Sequence, residues 1–270
     1  MGSRLRRKKT YNRASVAQRE ALGICKFGQK KQAPAESMVQ LGNCVTLLIA
    51  MLADNYDPDT PFKFAKLEIK DGFWQMRVSS EDAWNFCYVL PHTDPSTITL
   101  DDTKIVVPNC LQMGWCESPP FFCAASKMAC DLIDALLLEV QLPEHPLESK
   151  MLHEATASAQ FCLQATATCI NLVEVFVDDF IAVTNNLSEE HLMHLSRAML
   201  FGVYLIFPPL EISKHQGEDP ISQKKLKQGE GMRSTIKEIL GWLVNGTNFT
   251  LQLMPEICAK ISKLIKIVCK

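Results

Sequence analysis

The sequence predicts an α+β protein in which an antiparallel sheet carries helices on one face. Strand-like alternation of apolar and polar residues runs through "FKFAKLEI" (62–69). Apolar residues instead recur at helical spacing in "FFCAASKMACDLIDALLLEV" (121–140). Two apolar runs also flank an Asn-Gly pair at 245–246, which is a strong hairpin signal. Strands and helices in this order favour an α+β architecture over regular βαβ alternation.

The first half of the chain predicts one helix and then several strands. The apolar stretch "CVTLLIAMLA" (44–53) is too short to cross a bilayer and predicts a buried helix. The strand over 62–69 is expected to continue through "FWQMRVSS" (73–80). Further strands are expected in "AWNFCYVLP" (83–91) and "KIVVP" (104–108), with a turn region between them.

The second half adds helices and two hairpins to the helix over 121–140. Residues 144–170 are mostly helix formers, and "LVEVFVDDFIAVTN" (172–185) predicts a hairpin that turns at its two aspartates. Ser188 is placed to cap the helix that follows. Two strands are expected over 238–254, one on each side of the Asn-Gly turn, and an amphipathic helix over 255–268.

Charge and cysteine usage indicate where the protein works. Residues 1–31 hold ten Lys or Arg and one acid, a net charge of +9, whereas the whole chain carries −2. Such a basic arm suits nucleic acid or a nuclear import receptor, and a solvated disordered tail is the alternative. The eleven cysteines include no C-x-x-C pair, and no signal peptide or transmembrane segment is evident. We therefore expect an intracellular protein, cytoplasmic or nuclear, with reduced thiols and no membrane partner.

Five motifs follow one another in a characteristic order. They are "KLEIKDGFWQMRV" (66–78), "LQMGWCESPPFF" (111–122), "FVDDF" (176–180), "SQKKLKQGEG" (222–231) and "EILGWLV" (238–244). In this order they resemble the palm domain of reverse transcriptases from long-terminal-repeat retrotransposons and retroviruses. The resemblance implies a right-hand polymerase palm with partial fingers and a truncated thumb. It also implies RNA-directed DNA polymerase activity that adds deoxynucleotides (dNTPs) to a DNA or RNA primer on an RNA template.

The resemblance divides the chain into four parts. Residues 1–36 form the basic arm, and 37–110 form partial fingers with the first palm strands. Residues 111–255 form the palm with its metal-binding and primer-supporting hairpins, and 256–270 begin a thumb helix.

The resemblance also assigns roles to individual residues. The catalytic and metal-binding carboxylates are Glu68, Asp178 and Asp179. They would hold two Mg²⁺ ions, or Mn²⁺ in their place, because hard cations prefer oxygen ligands. The nucleotide-binding residues are Phe73, Asp71, Met113, Gly114, Lys224 and Lys225. The residues that contact primer and template are Trp115, Leu240, Gly241 and Trp242.

Each assignment has a structural alternative, and several positions depart from the family pattern. Phe73 fits core packing equally well, whereas Trp115 fits a structural role better and either lysine alone fits a solvated surface better. Glu68 and Phe176 stand where the family has aspartate and tyrosine, and Gln112 stands where it usually has proline. Residues 32–62 contain no Lys or Arg to bind a triphosphate.

Three functions are consistent with these features. The first is an active polymerase domain, and the second is a degraded element copy that keeps the fold without the catalysis. The third is a nucleic-acid-binding protein that works through its basic arm and needs no metal chemistry.

Overall fold

The computed structural model describes residues 43–55, 57, 59–90, 103–115, 118–139, 141–151, 170–209 and 219–268. They belong to two compact units, the first containing Gly72–Pro119 and the second containing Pro34–Asp71 and Pro120–Lys270. The helices are α1 (Asn43–Asp54), α2 (Gly72–Gln75), α3 (Ser118–Leu136), α4 (Glu189–Ile206), α5 (Gln223–Lys227) and α6 (Pro255–Val268). The strands are β1 (Lys63–Glu68), β2 (Tyr88–Val89), β3 (Ile105–Val106), β4 (Asn171–Phe176), β5 (Asp179–Thr184), β6 (Ile236–Ile239), β7 (Trp242–Asn245) and β8 (Thr250–Leu253). Adjacent strands pair antiparallel, so the predicted α+β class is confirmed.

The first unit contains less strand than the sequence predicts. The segment 73–80, expected as a strand, begins with the short helix α2. Asp71 has φ 53°, and this left-handed conformation ends the extended run of β1. A 3₁₀ turn at Ala83–Phe86 likewise replaces the start of the strand expected over 83–91, which leaves only β2 to pair with β3.

The larger sheet of the second unit has the strand order β1-β5-β4, with β5 in the centre. Because side chains alternate along a strand, Phe64, Lys66 and Glu68 share one face of β1. The apolar end of this face belongs to a core that includes Cys44 and Leu48 from α1. The helix predicted over 44–53 is confirmed as α1, but its burial is only partial, because one face meets the core and the other is exposed.

Helices α3 and α4 pack closely together. A Cβ atom added at Gly202 in α4 would collide with Ile133 Cγ1 and lie 3.2 Å from the Ala129 carbonyl oxygen, both in α3. The Cys130 thiol of α3 also contacts the Val173 carbonyl oxygen of β4 at 2.9 Å. The predicted cap of α4 is confirmed, since the Ser188 side chain accepts a hydrogen bond from the His191 N–H.

This close approach makes Gly202→Ala a test of the α3–α4 packing. Alanine favours a helix over glycine by about 1 kcal/mol, but overpacking a core costs about 1–3 kcal/mol. We expect a net loss of up to about 2 kcal/mol in the free energy of unfolding, measured by urea denaturation. Adding Ile133→Ala removes the colliding atom, so the double variant should lose less than the two single changes combined. Strict additivity, or a stabilised Gly202→Ala chain, would contradict this packing.

The smaller sheet of the second unit consists of β6, β7 and β8. The hairpin predicted across Asn245 and Gly246 is confirmed as β7 and β8. The continuous strand expected over 238–244 is wrong, because Leu240 and Gly241 form a two-residue turn between β6 and β7. Their φ angles of 50° and 82° correspond to a type I′ turn.

Of the remaining predicted segments, the structure describes the closing helix but not the basic arm. The closing helix is confirmed as α6, which is amphipathic and largely exposed. The basic arm and most of the helix expected over 144–170 lie outside the described residues. Among the residues that are described, no helix combines the length and hydrophobicity needed to cross a membrane.

Candidate active site

Three carboxylates meet where β1 ends and the β4–β5 hairpin turns. The register of the sheet places Glu68 directly opposite Asp179. Residues paired in this way have Cβ atoms about 4.5–5.5 Å apart. Asp178 precedes Asp179 in the turn, and its carbonyl oxygen accepts a hydrogen bond from the Ile69 N–H at 2.9 Å. The three carboxylates assigned from the sequence therefore share one end of one sheet.

The turn that presents Asp178 has a strained backbone. Strands β4 and β5 are joined by Val177 and Asp178, and Val177 has φ 57°. A type II′ turn needs a positive φ at its first central residue and is normally supplied with glycine. Positive φ is unusual for a β-branched residue, and such strain concentrates at functional sites. Val177, which disfavours a positive φ, therefore stands directly before the two aspartates of the hairpin.

Two lysines link the carboxylates through a network of ion pairs. Lys66 Nζ lies 3.4 Å from Asp179 Oδ1 and 3.3 Å from Glu230 Oε2. Lys225 Nζ lies 3.3 Å from Glu230 Oε1 and in close contact with Glu68 Oε2. The pairs form a continuous chain from Asp179 to Glu68, the two residues that face each other across the strands. The Lys66 side chain is only 13% exposed, so its charge needs these partners.

Backbone hydrogen bonds hold this network against the edge of β1. The Ser222 N–H donates to the Glu68 carbonyl oxygen at 2.9 Å, just before α5 begins. The Lys66 N–H donates to the Glu230 carbonyl oxygen at 3.1 Å, just after α5 ends. Leu226, between these two points, is buried. Helix α5 is therefore fixed beside β1 at both ends, and this places Lys225 over Glu68.

The pKa values reflect burial and crowding of like charges. Burial raises the pKa of Asp178 above its ordinary value, and the neighbouring Glu68 carboxylate adds to the increase. Burial also raises the pKa of Asp179, although the Lys66 ammonium group opposes this change. Contact with the Glu68 carboxylate raises the pKa of Lys225. The carboxylates therefore repel one another, and the lysines relieve part of that repulsion.

Burial of the Asp178 carboxylate, together with its repulsion by Glu68, predicts that Asp178→Asn stabilises the fold at neutral pH. The folded-state pKa of Asp178 lies above the unfolded value of about 3.9, so its ionised form opposes folding at pH 7. The gain in the free energy of unfolding should be about 0.5–2 kcal/mol. It should shrink as the pH falls from 7 towards 4, where the aspartate is neutralised as well. Urea denaturation at both pH values checks this, with the exposed Asp59→Asn as control. Destabilisation at pH 7 would contradict it.

The cluster offers oxygen donors to the divalent cations that the resemblance implies. Carboxylate oxygens are the ligands that Mg²⁺ prefers. Glu68 Oε2 and Asp179 Oδ1 are buried, and the ammonium groups of Lys225 and Lys66 contact them. The residues therefore fit a cation in their chemistry, but two of the carboxylates are paired with ammonium groups. Within the described ranges, no three His, Cys, Asp or Glu side chains are arranged as a ready metal site.

The other predicted residues of the second unit vary in position. Lys225 contacts Glu68, whereas Lys224 is exposed. Asp71 lies in the turn after β1, and its carboxylate is 3.9 Å from Lys70 Nζ. Leu240 and Trp242 pack against the apolar core, and Gly241 completes the turn between them. This packing gives Leu240 and Trp242 a structural role beside the primer-supporting role that the resemblance implies.

Four predicted residues belong to the first unit. Phe73 lies half-buried in α2. Met113 and Gly114 occupy the centre of a turn closed by a 3.2 Å hydrogen bond from the Trp115 N–H to the Gln112 carbonyl oxygen. Gly114 has φ 99°, which a type II turn requires at this position. Trp115 packs edge-on against Phe86 at 4.9 Å, which favours its structural role. Nucleotide and template contacts stay predictions for all four.

Sequence reasoning missed Lys66 and Glu230. Lys66 had a usable signal, because a residue two positions before Glu68 on a strand lies on the same face. Glu230 had no such signal, since only the pairing of its backbone with Lys66 brings it to the cluster.

In this antiparallel sheet the β4–β5 hairpin places Asp178 and Asp179 beside the end of β1. No protein-family model matches the chain, and comparison with curated proteins also finds no match. The function is therefore inferred from the motifs and from the geometry of the cluster.

Proposed function

We propose that this chain is a reverse-transcriptase-type palm that joins dNTPs to a primer 3′-hydroxyl on an RNA template. The observation that carries the proposal is the register of β1 and β5, which sets Glu68 opposite Asp179 beside the strained turn of Asp178. Motif order alone would not bring these residues together. A nucleotidyl-transfer centre needs several carboxylates on rigid elements, and a sheet end with a two-residue turn supplies such a support.

Each residue of the cluster has a role in this proposal. Glu68, Asp178 and Asp179 would hold Mg²⁺ or Mn²⁺, which when bound supplies positive charge to the attacking and leaving oxygens. The Lys225 ammonium group lies beside the carboxylates and offers a charge to the leaving pyrophosphate. Lys66 neutralises part of the carboxylate charge from within the sheet. The strained turn fixes Asp178 in one place, which reduces the reorganisation needed during the reaction.

The experiment is extension of a labelled primer on an RNA template with dNTPs and Mg²⁺ or Mn²⁺. The unaltered chain should lengthen the primer, and Asp178→Asn should not. The Asp59→Asn chain is the matched control, because it makes the same change at an exposed aspartate. Equal extension by all three chains would assign the product to a contaminant and remove the support for this proposal.

A further inference from the structure

The carboxylates that would bind divalent cations already bind ammonium groups. Lys225 contacts Glu68 Oε2, and Lys66 Nζ lies 3.4 Å from Asp179 Oδ1. An ammonium group and a divalent cation at the same oxygen repel each other strongly at such separations. Binding of a cation to Glu68 and Asp179 therefore requires both ammonium groups to withdraw from these oxygens.

Glu230 is placed to receive both ammonium groups. Its Oε1 lies 3.3 Å from Lys225 Nζ, and its Oε2 lies 3.3 Å from Lys66 Nζ. Its backbone is held to β1 by the hydrogen bond from the Lys66 N–H. Each lysine can therefore leave a catalytic carboxylate and still keep an acidic partner. No long movement of the chain is needed.

The charges of the cluster favour such an exchange. Four carboxylates and two ammonium groups give a net charge of −2 when every group is ionised. One divalent cation balances this residual charge. A second would create an excess of positive charge unless an anionic group, such as the triphosphate of a nucleotide, entered with it.

We propose that Lys66, Lys225 and Glu230 form a counter-ion switch, in which the ammonium groups close the carboxylate cluster until a divalent cation displaces them towards Glu230. The switch rests on the proposed function, since it takes Glu68, Asp178 and Asp179 as the cation ligands. Glu230 is then a positioning residue, which acts through the lysines and does not bind the cation.

Mn²⁺ binding to the full chain, without nucleic acid or nucleotide, tests the switch. Free Mn²⁺ is measured by electron paramagnetic resonance during titration, and circular dichroism checks that each variant is folded. Lys225→Gln should bind Mn²⁺ at least about fivefold more tightly than the unaltered chain, because it removes a competing ion pair. Lys227→Gln makes the same charge change at an exposed lysine of the same helix and should stay within about twofold. Lys225→Arg keeps the charge and should bind no more tightly than the unaltered chain.

Glu230→Gln provides an independent test of where the ammonium groups go. Without the Glu230 charge, both lysines should remain on Glu68 and Asp179, and the affinity for Mn²⁺ should fall at least about fivefold. Glu238→Gln makes the same change at an exposed position of β6 and should leave the affinity within about twofold.

The outcomes separate this switch from the proposed function. If Asp178→Asn loses Mn²⁺ binding but Lys225→Gln and Lys227→Gln bind equally, the switch is overturned and the cation site stands. If Asp178→Asn binds Mn²⁺ as well as the unaltered chain, or no chain binds it, both the cation site and the switch are overturned.

Discussion

Asp178→Asn should reduce primer extension by about 10²–10³-fold or more, the loss typical when one electrostatic contact to a transition state is removed. Asparagine keeps the size of the side chain but removes the negative charge that would hold a cation. The same change is expected to stabilise the fold, because the buried Asp178 carboxylate lies near Glu68. The loss of activity and the gain in stability should therefore appear in the same variant.

This combination separates a catalytic role from a structural one. Extension rates and urea denaturation would be measured on the same preparations of the unaltered chain, Asp178→Asn and Asp59→Asn. A variant that loses activity because it unfolds would lose stability as well. Full activity in Asp178→Asn would remove Asp178 from the proposed chemistry.

Glu68→Asp is expected to increase primer extension by about 10-fold to 10²-fold. The additional methylene of glutamate displaces the carboxylate by about 1.5 Å, and a misplacement of about 1 Å can cost roughly 10²-fold in rate. The shorter side chain also draws the carboxylate away from Lys225, which weakens the ion pair that occupies it. Both effects leave the carboxylate more available to a cation.

Glu68→Gln is the matched control for this change. It keeps the length of glutamate and removes its charge, so it should extend the primer more slowly than the unaltered chain. The comparison requires initial rates over a range of Mg²⁺ and Mn²⁺ concentrations, because a change in cation affinity would otherwise be mistaken for a change in rate. Slower extension by Glu68→Asp than by the unaltered chain would show that the sheet is adapted to glutamate.

Local patterns predicted the elements that carry the carboxylates. Alternation along 62–69 and the apolar runs on both sides of the aspartates predicted β1, β4 and β5, because each strand has a buried face. The register that sets Glu68 opposite Asp179 was not predictable from periodicity, since it depends on how two strands far apart in the chain align. The family resemblance supplied only the expectation that Glu68, Asp178 and Asp179 share one site.

Two of the elements that were predicted wrongly end where a single residue adopts an unusual conformation. Asp71 and Leu240 both have positive φ, which is uncommon for residues other than glycine, and each ends a strand that the pattern extended. The contacts of Glu230 depend on the docking of α5 beside β1, which combines several weak interactions and leaves no periodic signal. The sequence pattern therefore did not contain the packing and the backbone conformations that decide where these elements end and dock.

The two alternative functions make different experimental predictions. A degraded copy would fold, and it would extend no primer even with Glu68→Asp. A binding protein would hold RNA with strong salt dependence, lose binding without residues 1–31, and be unaffected by Asp178→Asn. A polymerase palm requires Asp178 whether or not the basic arm contributes to RNA binding.

The most direct test of the polymerase centre is a single-turnover assay with excess protein, a labelled primer, an RNA template and Mn²⁺. The unaltered chain should add the nucleotide complementary to the template, Glu68→Asp should add it faster, and Asp178→Asn should add none above background. Absence of the templated product from both the unaltered chain and Glu68→Asp would contradict a polymerase function for these carboxylates.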